Sequence, residues 1–207
     1  MRLSKYALIL VGLVSSAGAM AATSTAQIVG GDPTGTININ GVIRTSTCSI
    51  GSPNVTDVGF NTSKADIRSV ASGGFVAQNI TPVTIHVSSC SDTALGMTVK
   101  AANYDTANVS HGLFEKSQDP DSALYYVVGL QDAAMVSGGD DTTVSGYHIV
   151  QVDGNNPAGN AIVIKDTTGS GEFDLNLATM VARNGNTSPD NLSSTLNTTY
   201  TYTFTYA

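Results

Sequence analysis

No tryptophan occurs in this 207-residue sequence, and cysteine occurs twice, at Cys48 and Cys90. Cations are also scarce: nine Lys and Arg stand against sixteen Asp and Glu, and charged residues of both signs make up only 12%. Each shortage excludes something. So few cations cannot neutralise a phosphate backbone, so nucleic acid is not an expected partner. Neither cysteine has a histidine at ligand spacing, which argues against a zinc site. The longest apolar run, Tyr6 to Val14, is too short for a bilayer, which takes about 20 residues. The three histidines, His86, His111 and His148, are scattered. None of them comes with a nucleophile elbow or other catalytic context, so no enzyme activity and no cofactor is expected. Low charge is not disorder, because 41% of the residues are hydrophobic.

What is present begins with a leader. Met1-Arg2-Leu3-Ser4-Lys5 is a positive n-region, the apolar run follows, and Ser15-Ser16-Ala17-Gly18-Ala19-Met20-Ala21 closes on small residues. Residues 1–21 read as a secretory signal peptide cleaved after Ala21, so the product is expected to be exported. Removing Arg2 and Lys5 leaves seven basic residues against sixteen acidic ones, a net charge of 7 − 16 = −9. In an oxidising compartment Cys48 and Cys90 are expected to form one disulfide, worth about 4 kcal/mol by loop-closure entropy.

The remaining chain suits one all-β domain. Short β-rich runs recur at Val55–Phe60, Val83–Ser88, Met97–Ala101, Ala123–Leu130, Tyr147–Val152, Ala161–Lys165, Phe173–Val181 and Leu196–Tyr206. Turn signals separate them: Gly73-Gly74, Gly138-Gly139-Asp140-Asp141, Asp153-Gly154-Asn155-Asn156-Pro157, Gly169-Ser170-Gly171 and Asn184-Gly185-Asn186. This spacing predicts a β-sandwich, with at most a turn or two of helix near Ser63–Ser72. The stretch Ala22–Thr34 has no period and carries Gly30-Gly31-Asp32-Pro33, so it is expected to be a flexible leader.

Two segments carry the functional signal. Tyr200-Thr201-Tyr202-Thr203-Phe204-Thr205-Tyr206 alternates aromatic and threonine, a strand with one buried face. Gly35-Thr36-Ile37-Asn38-Ile39-Asn40-Gly41-Val42-Ile43 alternates too, and no hairpin turn joins it to the next strand. An apolar edge strand left open is an aggregation hazard, and a spare strand elsewhere in the chain suggests a cover for it.

In order and spacing, the Gly35–Ile43 segment followed by Cys48-Ser49-Ile50, the run Pro82-Val83-Thr84-Ile85-His86-Val87-Ser88-Ser89-Cys90, Gly129-Leu130-Gln131-Asp132, the Phe173–Ala182 strand and the penultimate Tyr206 resemble the type 1 fimbrial pilin family of chaperone–usher fimbriae. The resemblance implies an incomplete immunoglobulin-like sandwich whose seventh strand is supplied in trans. It divides the chain into a signal peptide (1–21), an N-terminal extension with a donor strand (22–45) and a pilin domain (46–207). Ile37, Ile39, Gly41 and Ile43 would be the groove-facing donor residues, Gly41 lying where a larger side chain would clash. Tyr200, Tyr202, Phe204 and Tyr206 would line the acceptor groove, and the Ala207 carboxylate would be held by the chaperone. The implied partners are neighbouring pilin subunits, a periplasmic chaperone, an outer-membrane usher and, through the fibre, a host receptor. An ordinary intramolecular edge strand is the alternative for the Gly35–Ile43 segment.

The chain departs from the family's pattern in its long Asp-, Ser- and Gly-rich region Asn103–Asp153 and in Ser193, Ser194, Thr198 and Thr199, where the family often has alanines. A secreted carbohydrate-binding sandwich is the rival reading, with Tyr104 and Tyr147 as its loop aromatics. The Gly138–Asp141 and Asp153–Asn156 clusters offer oxygen ligands but lack EF-hand spacing, and polar turns explain them equally.

Overall fold

Alternation of buried and exposed side chains sets most of the strands. The computed structural model describes residues 26–28, 37–40, 48–77, 82–91, 93–131, 133–139, 143–155, 161–185 and 187–207. In chain order these form β1 (Ala26–Ile28), β2 (Ile37–Asn40), β3 (Ser49–Ile50), helix α1 (Lys64–Ser69), β4 (Phe75–Ala77), β5 (Val83–Ser88), β6 (Ala94–Ala101), β7 (Leu124–Gln131), β8 (Val136–Ser137), β9 (Thr143–Val144), β10 (Tyr147–Val150), β11 (Ile162–Lys165), β12 (Phe173–Arg183), a single 3-10 turn at Pro189–Asn191, and β13 (Tyr200–Tyr206). The signal peptide, Gly41 and Ile43 lie outside the described residues.

Two sheets stack face to face. Among the described residues the first runs β1-β2-β13-β6-β11-β8 and the second β3-β5-β12-β7-β10-β9, with β4 also on β12. The second sheet is antiparallel throughout. Its long strand β12 pairs along one side with β7 from Leu177 to Arg183. Along the other side it meets β5 first and then β4, with a register shift at Val181/Ala182. The core lies between the sheets: Ile85, Val87, Leu95, Met97, Tyr126, Leu130, Ile164, Leu177 and Phe204 are all buried there.

β7 departs from simple alternation because it is covered on both faces. Tyr126, Val128 and Leu130 belong to the main core, whereas Tyr125 and Val127 join Ile149, Met180 and Ala182 in a second apolar cluster. The Asp-rich region before β7 is ordered structure. Asp119 is 2% exposed and accepts hydrogen bonds from the amides of Ala123 and Leu124 at 2.8 and 3.0 Å, a cap for the entry into β7. Tyr104 packs against the main core and Tyr147 against the second cluster, so the two loop aromatics of the carbohydrate-binding reading are assigned to different clusters.

The expected disulfide joins Cys48 to Cys90, tying the start of β3 to the end of β5 across 42 residues of sequence. The expected helix is α1, one and a half turns held by a capping box in which Ser63 and Asp66 satisfy each other's amides. The turn glycines fall between strands. Gly138 has φ +82°, and a Cβ there would sit 1.9 Å from the Ala161 carbonyl oxygen, so no other residue fits without displacing backbone.

Two expectations fail. Val55–Phe60 forms no strand. Gly51 and Asn54 still bond to His86 and Thr84 of β5, but Pro53 has no amide to donate and the segment leaves the ladder after Asn54. Ala22–Thr34 is not wholly a structureless leader, because Ala26–Ile28 forms β1 and pairs antiparallel with β2.

Candidate functional site: an open strand edge and its cavity

β13 is the strand on which the site is built. On one side it is antiparallel to β6 along its whole length, from Tyr200 opposite Ala101 to Tyr206 opposite Leu95. On the other side its registered partners are confined to one end, Ile39 opposite Phe204 and Asn40 opposite Thr205 in β2. The Tyr200–Tyr202 half of that edge has no registered strand partner among the described residues.

A cavity of about 500 Å³ opens beside the Tyr200–Tyr202 half. One wall is the irregular 53–60 segment, the other is Leu196 to Tyr202, and the floor includes Val83, Phe114, Tyr126 and Val181 from between the sheets. The failed strand therefore has a place in the site: Val55, Val58 and Phe60 line the cavity. An aromatic chain follows, Phe60 to Phe114 at 5.9 Å, Phe114 to Tyr126 at 5.8 Å and Tyr126 to Tyr200 at 6.4 Å between ring centroids. Tyr202 continues edge-on to Phe204 at 5.8 Å and 71°.

The polar side chains of the site are mostly hydroxyls, joined by the Asp57 carboxylate and the Asn197 amide. The Tyr200 hydroxyl lies 3.2 Å from that of Thr179, and Thr198 donates to the Leu113 carbonyl at 3.1 Å. Burial pushes the phenols of Tyr126 and Tyr200 up, against the smaller opposing effect of their hydrogen bonds to Thr198 and Thr179. Burial, with a smaller contribution from neighbouring Tyr200, pushes Tyr202 up to about 12. The Tyr202 hydroxyl is buried with no hydrogen-bond partner among the described residues. At neutral pH the phenols are therefore neutral, Asp57 is the one carboxylate in the lining, and the apolar side chains beside a half-unpaired strand edge suit an extended apolar strand.

At the other end of β13, the Tyr206 hydroxyl accepts from the Cys48 amide at 3.2 Å, and the Ala207 amide donates to the Ala94 carbonyl at 2.9 Å. Ala207 itself is exposed. The predicted acceptor residues thus share one strand: Tyr202 and Phe204 are buried, and Tyr200 and Tyr206 are half-buried. Ile37 and Ile39 sit in β2, on that same strand's edge. Sequence reasoning missed Phe60, Phe114, Tyr126 and Leu196 as cavity residues. They lie far apart in the chain, and no local spacing marks them.

Elsewhere, the described part of the Asp153–Asn156 cluster is bonded within itself. Asn155 donates from its amide and side chain to Asp153 at 2.9 and 2.7 Å, whereas Asp140, Asp141 and Asn156 lie outside the described residues. His86 is exposed on β5 and meets Asp174 at 2.8 Å. His111 stacks on Tyr125 at 3.7 Å, and burial lowers its pKa, partly offset by Asp105.

Two stacked sheets, with half of one strand edge unpaired among the described residues beside a cavity, define the class of fold, an immunoglobulin-like sandwich. Solved structures make it more particular. The P pilus rod subunit PapA superimposes with a TM-score of 0.51 at 14% identity, over 77% of this chain and 99% of that one. A chain of a chaperone–usher pilus, studied for how its rod uncoils, gives 0.51 at 14% identity, over 81% of this chain and 92% of that one. The chain has the pilin fold. No family model and no curated protein matches the sequence.

Proposed function

We propose that this chain is a structural, non-enzymatic subunit of a bacterial chaperone–usher fimbria, exported through the periplasm to the cell surface and polymerised by donor-strand exchange into a fibre that contributes to cell adhesion. The observation that carries this reading is the cavity between the 53–60 segment and the Tyr200–Tyr202 half of β13, two flanks of one absent strand. A strand placed there would complete the ladder and bury alternate side chains. Ile37, Ile39 and Ile43 of a neighbouring subunit, each worth about 1.5–3 kcal/mol on burial, would contribute roughly 5–9 kcal/mol in addition to the backbone bonds. The contact is head-to-tail and does not close on itself, so it propagates a filament. A periplasmic chaperone would guard the same edge before assembly at the usher.

The test is thermal unfolding after prolonged incubation with an excess of a synthetic 34–45 peptide. The expected result is a raised midpoint with the native peptide and none with an Ile39→Asp peptide. A chain whose midpoint ignores both peptides has a complete sandwich, and the fimbrial reading fails.

A further inference from the structure

The cavity and the strand it would receive carry one charge each, of opposite sign. Among the described residues, Asp57 is the only charged side chain in the cavity lining beside Tyr200 and Tyr202. It is exposed, and no described residue gives it a hydrogen bond or an ion pair. The next charged residue along the chain, Lys64, is turned to the Asp190 carbonyl at 2.7 Å. Between Thr34 and Thr45 the only charged residue is Arg44.

Strand geometry brings the two charges together in one direction only. Ile37–Ile43 and β13 are each seven residues long. A strand laid along β13 with Ile43 beside Tyr200 puts Arg44 at the stretch that Asp57 lines. Laid the other way, it puts Arg44 past Tyr206, about 20 Å from Tyr200. That is more than two Debye lengths at physiological salt, each about 8 Å, so the attraction is screened. Alternation also suits the pairing. With Ile37, Ile39 and Ile43 in the groove, Arg44 points away from it toward solvent, where an exposed carboxylate can be reached. The chain's own β2, parallel to β13, is registered only against Phe204 and Thr205, so among the described residues no strand is registered on that edge of the Tyr200–Tyr202 half.

We propose that Asp57 is the recognition contact for Arg44 of an incoming subunit, an ion pair at the cavity mouth that selects a donor strand carrying a cation just after its last groove-facing residue. The pair rests on the donor-strand reading above and names the charge which that groove requires of its partner. Apolar burial supplies the affinity, and the charge supplies selection, because a strand with a carboxylate at that position meets like charge. Both groups stay at the surface. Exposed pairs change affinity by up to about fivefold, whereas charges at the edge of an interface act chiefly on the association rate and its salt dependence.

Uptake of a dye-labelled 34–45 peptide by the full exported chain, followed by fluorescence anisotropy at low salt, tests the pair. The parent and Asp57→Lys proteins are each combined with the native and the Arg44→Glu peptide. Each single change is expected to slow uptake by about two- to fivefold, and the double change to restore the rate to within about twofold of the native pair. These differences should collapse in 1 M salt, where the Debye length is about 3 Å. Single changes without effect, or a double change slower than either, overturn the pair, while uptake of the native peptide leaves the donor-strand reading standing. Uptake of no peptide by the parent overturns both. A second measurement reads position instead of charge: Asp57→Cys protein is oxidised with an Arg44→Cys or a Thr36→Cys peptide. A bridge to the Arg44→Cys peptide is expected, and an equal or greater yield with the Thr36→Cys peptide overturns the placement.

Discussion

Replacing Tyr202 with phenylalanine should stabilise the isolated subunit, although most substitutions at buried positions destabilise. Tyr202 is 4% exposed, lies opposite Val99 of β6 and sets its ring edge-on to Phe204, and all of that packing survives loss of one oxygen. The oxygen itself is buried and unpaired. An unsatisfied buried hydroxyl costs about 1–3 kcal/mol, so Tyr202→Phe should gain about 1–2 kcal/mol. Tyr200→Phe, two residues away, should go the other way by about 0.5–1.5 kcal/mol because its hydroxyl meets Thr179. Urea unfolding at neutral pH reads both as shifts of midpoint at constant slope. A second signature comes from pH. The Tyr202 phenol ionises near 10 when unfolded and near 12 when folded. The stability it contributes is complete below pH 10 and is lost as pH rises from 10 to 12, because the unfolded chain releases the proton first. The gap between Tyr202→Phe and the parent should therefore widen across that window. A Tyr202→Phe protein less stable than the parent, or a gap that does not change with pH, would refute the reasoning.

Asp119→Ala strands the buried amides of Ala123 and Leu124, and should cost about 2–4 kcal/mol in urea unfolding at neutral pH. Gly112→Ala puts a Cβ 2.2 Å from the Tyr126 ring, which is wedged against Phe114 and Tyr200; overpacking of about 1–3 kcal/mol should lower the thermal midpoint and weaken peptide uptake. Reducing the Cys48–Cys90 bridge frees a loop of 42 residues' separation and should cost about 4 kcal/mol, read by unfolding with and without reductant.

The local rules were legible where a residue's neighbours in sequence are also its determinants. Period-2 patterns located β5, β12 and β13 to within a few residues, small turn residues located the breaks, and two cysteines in a chain read as exported implied one bridge. The alternation of Tyr200–Tyr206 was enough to assign the buried face of the last strand. Val55–Phe60 shows the limit of such patterns. Its composition suits a strand, but a strand needs a ladder, and among the described residues no registered strand pairing extends past Asn54 into this segment. The two faces of β7 are a similar case, since its outer residues are buried by β10 and β12 side chains remote in sequence.

The sequence by itself determined that this is an all-β domain with a spare alternating segment near one end and an aromatic strand at the other, because side-chain alternation follows from the pleat alone. Only the tertiary structure decided that Phe60, Phe114, Tyr126 and Leu196 share one cavity, that Tyr202 keeps an unpaired hydroxyl, and that the extension lies parallel on its own β13. Those facts depend on which distant segments meet and on how far the chain between them can reach, and neither is recorded in any local pattern of residues.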